Sequence, residues 1–453
     1  MSSLRSFATG ICFAAAVLEW VNSAEGAELR RVPPQYRAVR RAAAEETVLA
    51  PKPTAPRSRP EAATAPAESA TEPLPAIATE GTVIPNGFDE GMMFGEFAGP
   101  PIMGCDPCPV IPTRWASFEY LLWWRTGQSL PPLVTSSPDG TAQEEAGVLG
   151  FDTTQVLYGG STDGGDVRPG GRIILGVALD PMACHAIEGR FFILGDSSIS
   201  YSNASADSPI LARPFLDDSN DSQASLLLAF PDFTTNGTVT VQGDSEVLGG
   251  SVLYRLLANR AGASSLQILG GYEFARINES LSISNGTESL TEPIPGTTFD
   301  VRDDFAANNE FHGGSIGLAF LHDAPRWNLE LFGKVAFGNM NQVVNISGQS
   351  VITTPSPDSS TETLPFGLLA QGANLGQTSR NQFTVAPEFG INLNWHLTQL
   401  WNLKAGYSFL YWNHVAQAAS QIDPELRVPT QQFAITDGGY SLHGINFGAE
   451  LRF

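Results

Sequence analysis

Apolar and polar residues alternate along the last ten residues, GINFGAELRF, from Gly444 to Phe453. Successive side chains of a β-strand point to opposite faces, so this alternation predicts a strand with one apolar and one polar face. The apolar face carries Ile445, Phe447, Ala449, Leu451 and Phe453. Such a strand suits a bilayer crossing, with its apolar face toward lipid, although an edge strand of a soluble sandwich has the same pattern.

The alternation recurs from Trp115 onward, in segments about as long as one bilayer crossing. WASFEYLLWWR comes first, and four β-hairpins with short turns follow. The paired segments are Gly170–Asp180 with Ala186–Gly195, Ser245–Leu257 with Ser265–Arg276, Phe311–Leu321 with Trp327–Gly338, and Phe383–Trp395 with Leu400–Trp412. With the last strand, the pattern predicts ten strands.

Long polar segments between the hairpins predict extracellular loops. They are Thr126–Pro169, Asp196–Asp244, Asn278–Asn309, Asn339–Arg380 and Asn413–Tyr440. Short turns at one end and long loops at the other are typical of outer-membrane barrels, whose short turns face the periplasm. We therefore predict an all-β fold, a transmembrane antiparallel up-and-down barrel of about ten strands over residues 113–453. Extra pairs, such as Ser225–Phe230 with Thr238–Gln242, would lengthen strands or raise the count to twelve or fourteen.

Composition agrees with a barrel and argues against membrane helices. The chain is 42% hydrophobic and 16% charged, its mean hydropathy is −0.05, and it has no apolar run of eighteen residues. Its formal net charge is −22, and we expect most of this excess in the outward loops. An acidic rim would favour cations at low ionic strength.

The polar faces of the predicted strands carry charges of both signs in nearly equal number. Because a buried charge is costly unless paired, we expect ion-pair ladders inside the barrel and a narrow lumen. The predicted lumen-lining residues are Glu119, Arg125, Arg172, Glu188, Arg190, Arg255, Glu273, Glu330, Lys334, Glu388, Lys404, Glu450 and Arg452.

The amino terminus reads as a signal peptide followed by an arm. Residues 1–24 combine Arg5, an apolar stretch and small residues near Ser23, which is typical of a secretory signal that is cleaved. Residues 25–112 are rich in Pro, Ala, Glu and Thr, which predicts a disordered periplasmic arm. An arginine cluster in the arm could contact anionic cell-wall polymer or lipid head groups, or could be solvated linker charge. Its members are Arg30, Arg31, Arg37, Arg40 and Arg41.

Cys105 and Cys108 form a CxxC at the end of the arm, and Cys184 precedes His185. This set could hold zinc or shuttle disulfides, but in an exported protein a structural disulfide between Cys105 and Cys108, or free thiols, is favoured. No metal or cofactor is predicted.

Catalytic motifs are weak. Gly313, Ser315 and Gly317 match G-x-S-x-G, but they lie within an alternating strand instead of a strand-to-helix turn, and the six histidines lack metal-ligand spacing. We therefore predict that the protein is not an enzyme, and an outer-membrane hydrolase is the least favoured function. No nucleic-acid-binding face is found.

Many stretches in order carry a resemblance to a known family. They include WASFEYLLWW, GGRIILGVALD, LGGYEFARINESLSI, FAANNEFHGGSIGLAF, NQFTVAPEFGINLNW and AGYSFLYWNHVAQAASQID. From Trp115 to Phe453 the chain resembles the bacterial beta-barrel porin family numbered seven. The AQAAS stretch departs from the arginine, proline and glycine of that family. The resemblance implies an outer-membrane barrel with pore function and no established substrate.

Two functions remain in competition on the sequence. One is a porin for small solutes with a narrow charge-lined lumen; the other is a structural or surface-interaction barrel with a closed lumen. The expected location is the bacterial outer membrane. The expected partners are its lipid and the barrel-assembly machinery, through the C-terminal strand.

Overall fold

The computed structural model describes residues 113–453 except 126, 164, 166, 218–221, 292–293, 357–358 and 423–432. The signal peptide, the arm, Cys105 and Cys108 lie outside the described residues. The strands are β1 Arg114–Arg125, β2 Gln128–Ser129, β3 Val134–Ser136, β4 Gln155–Tyr158, β5 Thr162–Asp163, β6 Val167–Ala178, β7 His185–Ala204, β8 Leu211–Asp217, β9 Ser222–Ala229, β10 Thr234–Ala261, β11 Ser264–Ser289, β12 Thr298–Asp323, β13 Trp327–Thr353, β14 Thr361–Leu364, β15 Gly376–His396, β16 Trp401–Ala416 and β17 Asp437–Arg452. Two 3₁₀ turns are Gly372–Asn374 and Ala419–Gln421.

Ten strands form a closed antiparallel ring. Their order is β12, β11, β10, β7, β6, β1, β17, β16, β15 and β13, and β13 pairs back onto β12. The first and last strands meet, with Trp115 opposite Arg452, so closure is made by the terminal alternating segment. The all-β ten-stranded barrel predicted from the alternation is confirmed.

The alternation sets the two faces of the ring. On β17, Ile445 and Phe447 are exposed on the outside, whereas Asn446 and Glu450 are buried inside. Outward apolar side chains recur on every strand of the ring, and aromatic residues lie near both ends of the crossing. At the short-turn end these are Trp327, Trp395 and Trp401, and about ten residues further along the strands the pairs Trp124–His443 and Tyr272–His312 face outward. This spacing matches the 9–11 residues that a tilted strand needs to cross a bilayer.

The barrel wall is much taller on one side than on the other. β10, β11, β12 and β13 have 28, 26, 26 and 27 residues, whereas β1 and β6 have 12 each. We call β7, β10, β11, β12, β13 and β15 the tall wall, and β16, β17, β1 and β6 the low wall. The strands of the tall wall continue beyond the membrane. Most of their inward side chains there are apolar and are buried by other parts of the chain.

The prediction of loops was wrong over much of three segments. Parts of Asp196–Asp244, Asn278–Asn309 and Asn339–Arg380 continue the barrel strands. In this extension, Val239, Val241 and Ile283 face inward while Thr240 and Ser282 face outward. The serine-, threonine- and asparagine-rich outer face gave these strands the composition of loops.

A small sheet lies inside the tall wall. Its strand order is β4, β3, β8 and β9, contributed by the segments after β1 and after β7, and we call it the cap. Ser225–Phe230 therefore does not pair with Thr238–Gln242; most of it belongs to β9, which pairs with β8. None of the helices among the described residues is long and apolar enough to cross a membrane.

Arginine on the lipid face of β17 is expected to destabilise the barrel in proportion to its depth. Phe447, 47% exposed, lies five residues from the strand end at Arg452, whereas Leu451 lies next to it. Phe447→Arg should cost about 2–4 kcal/mol of unfolding free energy near mid-bilayer, and Leu451→Arg about 0–1 kcal/mol at the interface. Urea unfolding in lipid vesicles measures both. Equal costs at the two positions would contradict this placement of the bilayer.

Candidate functional site

The ionic side chains predicted to line the lumen all lie on the inner face of the ring. Most of them are buried, and Arg452 at the short-turn end is the most exposed. The structure gathers ten of the thirteen into clusters between neighbouring strands and places Arg125, Glu450 and Arg452 nearer the two ends.

The first cluster surrounds Glu119 on β1. Its carboxylate accepts hydrogen bonds from Arg172 of β6, through Nε at 2.8 Å, and forms an ion pair with Lys404 Nζ of β16 at 2.6 Å. Arg172 also donates to Ser408 Oγ at 3.1 Å. One fully buried carboxylate thus holds together β1, β6 and β16, which belong to the low wall.

The second cluster centres on Glu188 of β7. Glu188 pairs with Arg190 and with Arg255 of β10, both at 2.7 Å, and Arg255 reaches on to Glu330 of β13 at 2.7 Å. Asn392 Nδ2 of β15 donates to the other oxygen of Glu330 at 3.1 Å. These bonds cross the lumen from one part of the tall wall to another.

A third cluster forms around Lys334 of β13. Lys334 contacts Glu273 of β11 and pairs with Glu388 of β15 at 2.7 Å. Arg190 approaches Glu388 at 4.0 Å and so connects this cluster to the second. Across the three clusters five carboxylates meet five cations, so this level of the lumen has no net formal charge. The members are Glu119, Glu188, Glu273, Glu330 and Glu388 with Arg172, Arg190, Arg255, Lys334 and Lys404.

An apolar layer lies above the ionic clusters, on the side away from the short turns. Its large buried side chains include Leu121, Trp123, Phe192, Phe311, Leu410 and Trp412. The cavity between this layer and the ionic clusters has a volume of about 30 Å³, which is room for about one or two water molecules. The side chains of the two layers thus leave little free space around this cavity.

A buried ion pair above the apolar layer includes a residue that sequence analysis missed. Arg125 Nη1 donates to Glu279 of β11 at 2.5 Å, and Glu279 also accepts the N–H of Ala418 at 3.3 Å. Glu279 fell within a segment predicted to be a loop. Asn309 of β12 similarly bonds both backbone groups of Ala416 at 2.8 Å. These contacts hold the segment after β16 against the inside of the tall wall.

The cap packs against the inner face of the tall wall, at the end of the barrel away from the short turns. Leu133, Val134, Leu211, Phe215 and Leu228 of the cap region are buried against the inner face of the tall wall. The wall contributes Val239, Val241, Leu281, Ile283, Val301, Phe305, Val344 and Ile346 to the same core. This apolar face explains why the tall wall can extend beyond the membrane.

One buried ion pair fastens the cap to the wall. Arg213 of β8, 1% exposed, donates to Asp303 of β12, 0% exposed, at 2.8 Å, and to Asn285 Oδ1 of β11 at 2.7 Å. Asp303 also accepts the backbone N–H groups of Leu369 and Ala370, both at 2.8 Å. Sequence analysis missed this pair. Asp303 stands at an inward position between Val301 and Phe305, where burying a carboxylate without a partner would be costly.

The short turn between β6 and β7 carries the described cysteine, Cys184. The Asp180 carboxylate accepts backbone N–H groups of Cys184, Met182 and His185 at 3.1, 3.0 and 2.7 Å. These hydrogen bonds, that of Cys184 foremost, lower the pKa of Asp180.

Within the described ranges, no group of three His, Cys, Asp or Glu side chains is placed to hold a metal ion. Ser315 lies in the middle of β12, away from any strand-to-helix turn.

Several solved outer-membrane proteins resemble the chain at low identity. The toluene transporter TodX of P. putida is 9% identical with a TM-score of 0.18, covering 75% of this chain and 90% of TodX. A Pseudomonas aeruginosa homologue of FadL is 8% identical with a TM-score of 0.21, covering 75% of this chain and 90% of its own. OmpT of Vibrio cholerae is 5% identical with a TM-score of 0.13, covering 75% and 97%. Scores this low say nothing of function.

Comparison with curated proteins finds no match. The model of the family described as "Putative beta barrel porin-7 (BBP7)" matches residues 115–453, which is the whole barrel with its cap. The match begins at the first strand and ends at the last residue, so it covers every strand that closes the ring. The chain therefore belongs to this beta-barrel porin family of the bacterial outer membrane.

Proposed function

We propose that this barrel is a porin for small solutes that its own cap holds shut, and that it conducts when the cap leaves the mouth. The observation that carries the proposal is the docking of the cap. It is built from two connecting segments and packs against the wall through one apolar face and the Arg213–Asp303 pair. An element attached in this way can leave without breaking any strand pairing of the ring.

The ionic clusters support a solute path below the cap. Filling the lumen with apolar side chains would avoid the desolvation cost of ten charges, nine of them buried, so their presence favours a function for polarity inside the barrel. Because these clusters are neutral as a group, they give no preference for either sign of charge. Any cation preference arises outside, from the acidic excess of a chain with net charge −22, and salt screens it.

A closed surface-interaction barrel is the second candidate, and the filled lumen favours it. In this alternative the side chains around the cavity of about 30 Å³ stay in place, so displacement of the cap does not make a channel. Solute would also have to part the aromatic layer and swing aside side chains such as Arg190 and Lys334. In this alternative the tall wall and the cap form a platform for contacts outside the cell.

Recording from the purified protein in planar bilayers tests the two candidates. The porin should give rare, small and brief current steps that favour cations at low salt and lose that preference as salt is raised. Large stable steps from the unmodified protein would contradict closure by the cap. If no current is recorded even after the residues of the cap are replaced by short linkers, the porin proposal is wrong and the closed barrel remains.

We also propose an export route for the chain. Residues 1–24 are removed as a signal peptide, and residues 25–112 remain as a disordered periplasmic arm, whose arginines are either solvated or in contact with cell-wall polymer. Cys105 and Cys108 form a disulfide. The C-terminal strand, through Ile445, Phe447, Ala449, Leu451 and Phe453, is the segment that the assembly machinery recognises.

A further inference from the structure

The barrel wall has a seam between β15 and β16. β15 pairs with β13 along its whole length, from Trp395 to Gly376, but it pairs with β16 only from His396 to Glu388. The next residue is Pro387, which has no N–H to donate to a neighbouring strand. Above this level the described part of β16 pairs with β17 alone. The tall wall and the low wall therefore separate here.

Side chains bridge the seam where the backbone ladder has ended. Asn413 Oδ1 accepts the N–H of Val385 at 2.9 Å, and Arg380 pairs with Asp437 at 2.6 Å. His414 Nδ1 lies 3.1 Å from the same Asp437 carboxylate. Arg380 and His414 are about one-third exposed, and such partly solvated pairs stabilise by only about 0–1 kcal/mol each. Side-chain contacts thus replace the backbone ladder along this part of the wall.

The seam begins at the outer membrane interface. Phe389 and Phe409 face each other just below it on the outer surface, with ring centroids 6.5 Å apart. Phe409 is opposite His443, which stacks on Trp124 in the outer aromatic belt. Phe383, beside the seam, is 65% exposed. A molecule that partitions into the outer leaflet would meet the seam at the level of the lipid head groups.

The apolar layer of the lumen lies directly behind the seam. Ala386, Leu410 and Trp412 are the inward residues at this height, and all three are buried. Leu410 and Trp412 also line the lumen cavity, whose other walls are aromatic on one side and ionic on the other. The aromatic side comprises Trp123, Phe192 and Phe311, and the ionic side includes Arg190, Lys334 and Glu388. The outward neighbours Pro387 and Tyr411 are buried as well, so side chains cover both faces of the seam when it is closed.

We propose that the seam is a lateral portal, through which small molecules with an apolar body and one polar end pass between the outer leaflet and the lumen cavity. Parting of the seam moves Leu410 and Trp412 and enlarges the cavity, whose aromatic side then takes the apolar body and whose ionic side takes the polar end. This route lies beneath the cap and through the wall, so it goes beyond the axial path proposed above. It operates whether or not the cap leaves.

Cysteine labelling from the bilayer tests the portal. Ala386→Cys places a thiol behind the seam, and Ala275→Cys places one in the same buried layer three strands away; both are made after all native cysteines are replaced by serine. N-pyrenylmaleimide reaches the thiols from lipid, and a sulfonated maleimide reaches them from water. Ala386→Cys should react with the apolar reagent faster than Ala275→Cys. Loosening the seam with Arg380→Gln and Asn413→Ala should raise that rate about tenfold, since loss of about 1.4 kcal/mol changes an equilibrium tenfold.

Arg276→Gln is the matched control for the seam variants. It removes a comparably exposed ion pair, with Glu310, between β11 and β12, which are hydrogen-bonded throughout. This change should leave both labelling rates unaltered. Equal labelling at the two cysteines, or no response to the seam variants, would overturn the portal. Faster labelling by the sulfonated reagent would also overturn it and would point to the axial path under the cap. The two reagents therefore distinguish the portal from the axial path.

Discussion

Asp303→Ala is expected to turn a largely silent barrel into one that opens often. The change leaves Arg213 buried without its carboxylate and also removes the acceptor for Leu369 and Ala370. Losing one member of a buried ion pair costs about 3–5 kcal/mol. The population with an undocked cap should therefore rise by about 10²-fold to about 4 × 10³-fold, at a factor of ten per 1.4 kcal/mol. Open probability in planar bilayers and limited proteolysis of residues 205–233 measure this population.

Asp304→Ala, at the neighbouring residue, is the control for this experiment. Asp304 points outward and pairs with the exposed Arg302, so its loss should change the docking of the cap by less than about 1 kcal/mol. The Asp303→Ala variant could form a normal barrel and still keep the open probability and protease resistance of the unmodified protein. That result would show that the Arg213–Asp303 pair does not hold the cap.

The membrane-crossing part of the fold could be predicted because its information is local. Alternation fixes which side chains face lipid, and the tight turns force neighbouring segments to pair. In VAPEFGINLNW, for instance, Ile391, Leu393 and Trp395 are exposed on the outside, and Asn392 and Asn394 are buried. The same rule gave ten strands and the closure of the ring.

The tall wall could not be separated from loops by composition. Its outward positions carry residues common in loops, such as Thr238, Asn341 and Ser347, whereas most of its inward positions are apolar. The apolar partner of those inward positions, the cap, comes from segments far away in the chain. Phe215 and Leu228 share a core with Val301 and Phe305, about eighty residues later in the sequence. No local pattern predicts such a contact.

The ionic side chains of the lumen were identified by the same alternation, but their partners were not. Arg255 pairs with Glu188 on the adjacent strand β7 and with Glu330 on β13, three strands away, and the longer pairing depends on barrel curvature and strand tilt. The aromatic layer was also missed as a barrier. Trp123 and Phe192 stand at inward positions, where a single strand does not reveal how many other large side chains converge.

Glu119→Gln is expected to cost the barrel about 3–5 kcal/mol of unfolding free energy, although the new side chain has nearly the same shape. Glu119 is 0% exposed and lies between Arg172 and Lys404, which are both 4% exposed. Without the carboxylate, the ionic clusters hold five cations and four anions, and the excess positive charge has no water to stabilise it. Urea unfolding in lipid vesicles, with heat-modifiable gel mobility as a second readout, measures the loss.

Two further variants separate the charge effect from a general sensitivity of the wall. Glu310→Gln breaks the exposed pair with Arg276 and should cost less than about 1 kcal/mol. Lys404→Met, added to Glu119→Gln, restores equal numbers of anions and cations and replaces a buried ammonium by an apolar side chain of similar length. The double variant should therefore regain much of the lost stability. If Glu119→Gln unfolds like the unmodified protein, or if Lys404→Met worsens it, the buried charges are not what holds the low wall together.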